Sequence, residues 1–133
     1  MLRTLSATFA LFMLVVLTGC GDNANIIGPS NQPQTTNATD SFQFQASNLV
    51  NVRQVLTYTW VNTGATANVD QSGAISSGAA VLVLRDASGA ERYNRSLRDT
   101  GSFTSTAGVS GNWTIEVQLD DVTGTLNFRV QKP

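Results

Sequence analysis

The sequence predicts an all-β domain over residues 41–133, an antiparallel β-sandwich of two sheets with seven to eight strands. Segments that alternate apolar and polar residues recur along this part of the chain, which is typical of half-buried strands. Clusters of Asp, Asn, Ser and Gly separate these segments, as turns between antiparallel strands require. No segment keeps the helical periodicity of about 3.6 residues. Since many short strands need a common core, we expect two sheets packed face to face.

The predicted strands differ in how apolar their two faces are. AAVLVLRD is apolar on both faces and is predicted to be central, whereas ERYNRSL and GSFTST are more polar and are predicted near an edge. QVLTYTWVN places Leu56, Tyr58 and Trp60 on one face. The full set is SFQFQA, QVLTYTWVN, ANVDQ, AAVLVLRD, ERYNRSL, GSFTST, NWTIEVQLD and TLNFRVQ. The aromatic residues expected in the core are Phe44, Trp60, Phe103, Trp113 and Phe128.

Glycine and aspartate mark the predicted turns. DASG at 86–89 predicts a hairpin between AAVLVLRD and ERYNRSL. DVTG at 121–124 predicts a second hairpin between the last two strands, with Gly124 at a positive φ. SGAISSG at 72–78 and GVSG at 108–111 are predicted as turn regions that precede the next strand.

The first 20 residues have the form of an export signal. Arg3 precedes an apolar run that is shorter than the roughly 20 residues of a membrane-spanning helix. The run ends in Leu17-Thr18-Gly19-Cys20, which resembles the lipobox of bacterial lipoproteins. The resemblance implies cleavage between Gly19 and Cys20 by signal peptidase II, a diacylglycerol on the Cys20 thiol, and a new amino group open to acylation. The alternative is an ordinary signal peptide or membrane anchor with an incidental cysteine.

The chain is therefore predicted to have three parts. Residues 1–19 form the cleaved signal peptide, residues 20–40 carry the lipid and a flexible linker, and residues 41–133 form the sandwich. The linker is rich in Asn, Gln, Thr, Pro and Gly, which bury too little apolar surface to become ordered. In enterobacterial lipoproteins an aspartate directly after the lipidated cysteine favours the inner membrane. Gly21 stands there, so the resemblance implies an anchor in the outer membrane, on its periplasmic or surface face.

The composition excludes several kinds of chemistry. The chain has no histidine, and its single cysteine is assigned to the lipid. A Ser-His-Asp triad, a thiol nucleophile and a zinc site therefore lack their parts. The formal net charge is −1, without the strongly basic face that nucleic-acid binding requires. We predict no enzymatic activity, no cofactor and no nucleic-acid partner.

Two groups of charged residues are candidate binding sites. Asp120 and Asp121 could hold calcium with neighbouring acids, although such acids more often begin turns and keep strand ends soluble. The second group is Arg92, Tyr93, Arg95 and Arg98. It could bind an anionic glycan, a lipid headgroup or an acidic partner. The alternative is that the arginines cover a strand edge and discourage aggregation.

The last third of the chain is similar to bacterial extracellular β-sandwich modules, such as immunoglobulin-like domains and domains appended to secreted peptidases. The similarity is carried by Gly111-Asn112-Trp113 and by TGTLNFRV at 123–130. It implies only the type of fold, because no functional residue of those modules carries over to this sequence. We therefore expect a lipid-anchored cell-envelope protein with a non-catalytic protein-interaction or structural role. The alternative is a module that binds polysaccharide or another surface polymer.

Overall fold

The computed structural model describes residues 25–133, so the predicted signal peptide and Cys20 lie outside the described residues. A 3-10 turn at Pro29–Asn31 precedes seven strands, all paired antiparallel, which confirms the all-β prediction. The strands are β1 (Gln34–Ala38), β2 (Ser41–Asn62), β3 (Asn68–Gln71), β4 (Ala74–Arg85), β5 (Glu91–Ser96), β6 (Gly101–Thr104) and β7 (Gly111–Gln131). In this part of the chain, no helix has the length and apolar character needed to cross a membrane.

Two long strands organise the sheet. β2 and β7 run antiparallel from the Ser41–Gln131 pair to the Asn62–Gly111 pair. The hydrogen-bonded order is β1-β2-β7-β3-β6, and β4 joins the sheet between β7 and β5. Residues 81–85 of β4 therefore have a neighbouring strand on each side, as the apolar character of both faces predicts for this part of the strand.

Each long strand contains two of the predicted strands. SFQFQA and QVLTYTWVN are both parts of β2, and NWTIEVQLD and TLNFRVQ are both parts of β7. The predicted hairpin at 121–124 is therefore wrong, although Gly124 does have a positive φ of 134°. The predicted turn at 72–78 is also wrong, because β4 begins at Ala74. A β-bulge needs the same unusual backbone angles as a turn, and bulges occupy both places.

The bulges lie side by side across three strands and form a line that we call the corner. The register shifts within residues 46–54 of β2 and within residues 75–79 of β4. Corner residues with a positive φ are Asn48, Asn51, Gly78, Asp121 and Gly124. The backbone of Asp121 passes so close to Gly78 that an added Cβ would overlap its carbonyl oxygen. Since a bulge bends its strand, all three strands change direction here.

The bend brings the two ends of β2 together. The Asp40 N–H donates to the Val61 carbonyl oxygen at 2.8 Å, and the ring centroids of Phe42 and Tyr58 are 5.1 Å apart. The predicted sandwich is therefore formed by two halves of one hydrogen-bonded sheet that folds at the corner. We call the end of the domain at which the sheet bends the corner end. The opposite end, where β2 begins and finishes, is the loop end.

The core lies between the two halves of the sheet. Trp60 and Trp113 are paired across β2 and β7, fully buried, with ring centroids 6.0 Å apart in a T-shaped arrangement. Phe44 lies against Phe128 with the ring centroids 5.7 Å apart. The predicted core positions of these four residues are confirmed. Phe103 is only partly buried and packs at the margin of the core.

At the loop end, the predicted hairpin at 86–89 joins β4 to β5 and is confirmed. The Gly89 N–H donates to the Asp86 carbonyl oxygen at 2.9 Å, and Gly89 has a φ of 83°. The Asp86 carboxylate is fully buried and accepts a hydrogen bond from the Val109 N–H at 3.0 Å. This bond fastens the predicted turn at 108–111 to the hairpin, just before β7 begins at Gly111.

The ordered domain begins before the predicted boundary at residue 41. β1 pairs with the first residues of β2, and Asn25 forms a parallel bridge with Val52 at the corner. The Asn31 side-chain amide donates to the Asn48 carbonyl oxygen at 2.9 Å. Residues 25–38 of the predicted flexible linker therefore pack on the domain. The sequence does not reveal this because β1 reads QTTNA and has no large apolar residue.

Candidate functional site

The predicted arginine group is divided among separate contacts, beginning with Tyr93. This residue is 7% exposed, belongs to the core cluster, and donates its hydroxyl to Gln71 Oε1 at 2.7 Å. Burial raises the pKa of Tyr93 to about 12. Its neighbour Arg92 is directed to Asp86, with Nε 2.8 Å from the carboxylate. The ring of Tyr93 is thus part of the interior, and Arg92 is part of the loop-end contacts.

Arg95 and Arg98 have protein partners as well. The Arg95 guanidinium lies over the Phe103 ring, 3.9 Å from its centroid, and 3.2 Å from Asp99. Arg98 donates from Nε and Nη2 to the Gly78 carbonyl oxygen, at 3.1 and 2.8 Å, and so stabilises the bulge in β4. The structure does not bring the four predicted residues to one common site. Anion binding there would compete with these contacts and stays a prediction.

Asp120 and Asp121, the predicted calcium ligands, lie at the corner and face an arginine. Arg53 Nε is 3.1 Å from Asp120, and Arg53 Nη2 is 2.6 Å from Asp121. Within residues 25–133, no three acidic, histidine or cysteine side chains converge into a metal-binding group. The three charges fasten β2 to β7 across the bulges, and a calcium ion would have to displace Arg53.

The outer face of one half of the sheet carries a shallow polar depression. It lies across β2, β7 and β3 and has a volume of about 240 Å³. Arg129 is 3.4 Å from Asp70, and Ser102 donates to the same carboxylate at 2.5 Å. The lining residues are Gln43, Asp70, Ser72, Asn127 and Arg129. Amide, hydroxyl and charged groups at one surface offer hydrogen-bond donors and acceptors to a polar polymer.

A second surface feature is an unpaired stretch of β2 beyond the corner. There β2 pairs with β7 on one side, and none of the described strands pairs with its other side. On that other side, the Val61 carbonyl oxygen accepts from the Asp40 N–H at 2.8 Å. Alternate residues of an antiparallel strand direct N–H and C=O to the same side. Val55 and Thr57 therefore direct theirs outward, where no backbone group of residues 25–133 pairs with them.

We call residues 55–59 of β2 the open edge, and neighbouring segments close both of its ends. At the corner end, the Asn25 carbonyl oxygen accepts from the Arg53 N–H at 3.0 Å. At the loop end, the Thr59 carbonyl oxygen accepts from Asn37 Nδ2 at 2.8 Å. With a rise of about 3.3 Å per residue, the gap accommodates an added strand of roughly five residues.

The side chains of the open edge are suited to the addition of a strand. Val55 is 62% exposed, and Leu56 and Tyr58 are only partly buried although they lie on the core-facing side. From residue 54 to the end of β2 there is no charged residue, proline or glycine. Charged residues and proline are the residues that normally protect an exposed edge from pairing. The other edges are polar in β1, charged in β5 and only four residues long in β6. The first part of β4, which β5 does not reach, is covered by the Arg98 side chain, which donates to the Ile75 and Gly78 carbonyl oxygens.

The open edge has no signature in the sequence, because an edge is defined by which strands pair and not by one segment. The pattern of QVLTYTWVN predicts a strand, but its neighbours cannot be assigned from its own residues. The composition of this stretch does carry one indication. An uncharged run rich in β-branched and aromatic residues is typical of a strand that is paired on both sides, whereas this stretch is paired on one side only among the described residues.

Compared with known proteins, the chain matches no protein-family model and no curated protein. The open edge and the polar depression are therefore the two surfaces from which a function can be inferred.

Proposed function

We propose that this protein is a lipid-anchored cell-envelope protein whose domain binds an extended segment of a partner protein along the open edge of β2. The anchor is the lipid on Cys20, the membrane is the outer membrane, and the role is non-catalytic. The open edge is the observation that carries this proposal. An added strand would pair with the outward backbone groups of Val55 and Thr57 and would cover Leu56 and Tyr58.

The expected affinity follows from the size of the open edge. Val55 and Thr57 offer two N–H and two C=O groups, and each hydrogen bond gains about 1 kcal/mol net of the bonds to water. Covering Leu56 and Tyr58 adds a favourable binding free energy of about 25 cal/mol for each Å² of apolar surface removed from water. Ordering the partner segment opposes these gains. We therefore expect reversible binding, strengthened when both proteins are confined to one membrane.

In-cell photo-cross-linking tests this proposal directly. A photoreactive amino acid is placed at position 57 of the full-length lipoprotein, and a matched control carries it at position 94. Thr57 and Asn94 are both exposed and lie at opposite edges of the same half of the sheet. They belong to one row of paired residues across the strands, which runs from Thr57 through Glu116 and Val83 to Asn94. We expect a defined protein adduct from position 57 and none from position 94.

The products distinguish between the possible partners. An adduct of two copies of this chain would identify the partner strand as β2 of a second molecule. An adduct with another envelope protein would identify that protein, and the linked peptide would give the segment that pairs. Equal adducts from both positions, or none from position 57, would contradict strand addition.

The polar depression supports a second candidate function, binding of a polysaccharide or another surface polymer. Its lining residues offer amide, hydroxyl and guanidinium groups at a single surface. In a sedimentation assay with isolated envelope polysaccharide, the combined Asn127→Ala and Arg129→Ala change should abolish binding, whereas Asn94→Ala on the other half-sheet should not. Equal sedimentation of both variants would exclude the depression as the binding surface.

A further inference from the structure

The corner end of the domain exposes two large apolar side chains next to the place where the described chain begins. Ile26 is 64% exposed and Val50 is 56% exposed. Asn25 Nδ2 donates to the Val50 carbonyl oxygen at 2.9 Å, which holds the two segments together. Ile26 and Val50 both border a depression of about 230 Å³ at this end. We call these two side chains the apolar pair.

The position of the apolar pair is tied to the predicted anchor by a short length of chain. Only residues 21–24 separate Cys20 from Asn25. Five residue steps of at most about 3.6 Å span no more than roughly 18 Å. A domain of this size has a radius of gyration of about 13 Å and hence a diameter well above that span. A lipid on Cys20 would therefore hold the start of the described chain, and with it the corner end, close to the bilayer.

We propose that the corner end rests on the membrane, with Ile26 and Val50 inserted among the lipid headgroups. The inference rests on the lipid anchor of the proposed function and adds an orientation to it. The occupant of the apolar pair is thus the bilayer surface that carries the Cys20 lipid. The loop end, with Asp86 and Val109, then points away from the membrane, and the open edge stays accessible from the side.

The charges at the corner end favour an apolar rather than an electrostatic contact. Arg53 lies within 3.1 Å of Asp120 and within 2.6 Å of Asp121, so its charge is already balanced by acids. Arg98 also lies at this end, where it donates to the Gly78 carbonyl oxygen, so two arginines there face the two aspartates Asp120 and Asp121. The corner end therefore has no excess of positive charge to attract anionic lipids. Its contact with the bilayer should be insensitive to salt, because screening affects charges and leaves apolar burial intact.

Depth-sensitive fluorescence tests the orientation in the full-length lipidated protein. Because the Cys20 sulfur is blocked by the lipid, Val50→Cys and Val109→Cys each introduce one reactive thiol for an environment-sensitive dye. Val109 is a matched control, because it is 51% exposed and lies at the loop end. About ten residues of strand, roughly 30 Å, separate the two ends. The protein is placed in vesicles of phosphatidylethanolamine and phosphatidylglycerol that contain a headgroup-attached quencher.

We expect the dye at position 50 to show blue-shifted emission and strong quenching, at low and at high salt, while the dye at position 109 behaves as in water. Two water-like dyes, or stronger quenching at position 109, would overturn the orientation. The intact mass of the protein separates this result from the failure of the anchor. A mass without the diacylglycerol would refute both the proposed anchor and the orientation, whereas a lipidated protein with a water-exposed position 50 would refute the orientation alone.

Discussion

At the scale of single residues, Asp86 shows how one buried carboxylate fixes the loop end. The carboxylate accepts hydrogen bonds from the Ser88 hydroxyl at 2.6 Å and from the Val109 N–H at 3.0 Å. It also accepts from Arg92 Nε at 2.8 Å and from the Ala90 N–H at 3.1 Å. The bonds from Ser88, followed by that from Val109, hold the pKa of Asp86 far below its ordinary value. The carboxylate is therefore ionised in the folded protein at neutral and mildly acidic pH.

The Asp86→Asn variant should lose stability in a pH-dependent way. The pKa of Asp86 is lower in the folded chain than the value of about 3.9 expected when unfolded, so its ionised form favours folding above about pH 5. This contribution is lost as the pH falls through the folded pKa. The wild type should therefore unfold at a higher temperature than the variant at pH 7, and the difference should narrow on acidification.

Thermal unfolding followed by circular dichroism from about pH 7 down to about pH 3 measures this difference. Asp40 has a lowered pKa too, because the Thr63 N–H donates to it. Asp40 is present in both proteins and its effect cancels in the comparison. A difference that stays constant with pH would contradict the role assigned to the Asp86 carboxylate.

At the scale of elements, the bulges at the corner bend the sheet into its two halves. The sequence predicts the unusual backbone angle at Gly124 but not the bulge that uses it. Gly124 was expected at a positive φ, and it has one. A turn and a bulge both require that angle, and the difference lies in whether the partner strand continues past it. β7 continues because β2 pairs with it on both sides of the corner. That pairing joins residues far apart in sequence and has no local signature.

The corner can be tested with two glycines that have nearly the same positive φ. Gly78 and Gly89 have φ values of 81° and 83°. Gly89→Ala meets no atom within 4 Å and should cost only the strain of a left-handed residue, about 1–2 kcal/mol. Gly78→Ala adds an overlap with the carbonyl oxygens of Asp120 and Asp121 and should destabilise the domain far more. Equal urea midpoints for the two variants would show that the close approach at the corner is not required.

At the scale of the whole molecule, the fold class and most of the core follow from the alternation of apolar and polar residues. That pattern alone predicts core positions for Trp60, Trp113 and Phe128, and all three are buried. It does not predict β1 or the segment from residue 25, because these contribute hydrogen bonds rather than apolar surface. It does not predict the open edge either, since an edge depends on the absence of a neighbouring strand and not on its own residues.

The contribution of the N-terminal segment can be measured by comparing two fragments. Residues 41–133 correspond to the domain boundary expected from composition, and residues 25–133 include β1 and the bridge between Asn25 and Val52. The shorter fragment lacks the partner of residues 41–45 and the Asn31 amide that caps the Asn48 carbonyl oxygen. It should therefore unfold at a lower urea concentration. Identical midpoints would show that residues 25–40 add nothing to stability.

The molecule as a whole combines a short link to the predicted anchor, a corner end next to that link, and an open edge on its side. The central claim is that a partner strand occupies this edge in the cell. Thr57 offers a backbone test, because its N–H has no partner within residues 25–133. Thr57→Pro removes this N–H without breaking a bond to β7, whereas Thr57→Ala keeps it and removes only side-chain atoms.

The most direct measurement compares these two variants of the full-length lipoprotein by cross-linking in intact cells, purification and mass spectrometry. Circular dichroism of each purified variant confirms that both are folded. We predict that Thr57→Ala recovers the same partner as the wild type and that Thr57→Pro recovers none of it. Equal recovery of the partner with folded Thr57→Pro would contradict strand addition at the open edge.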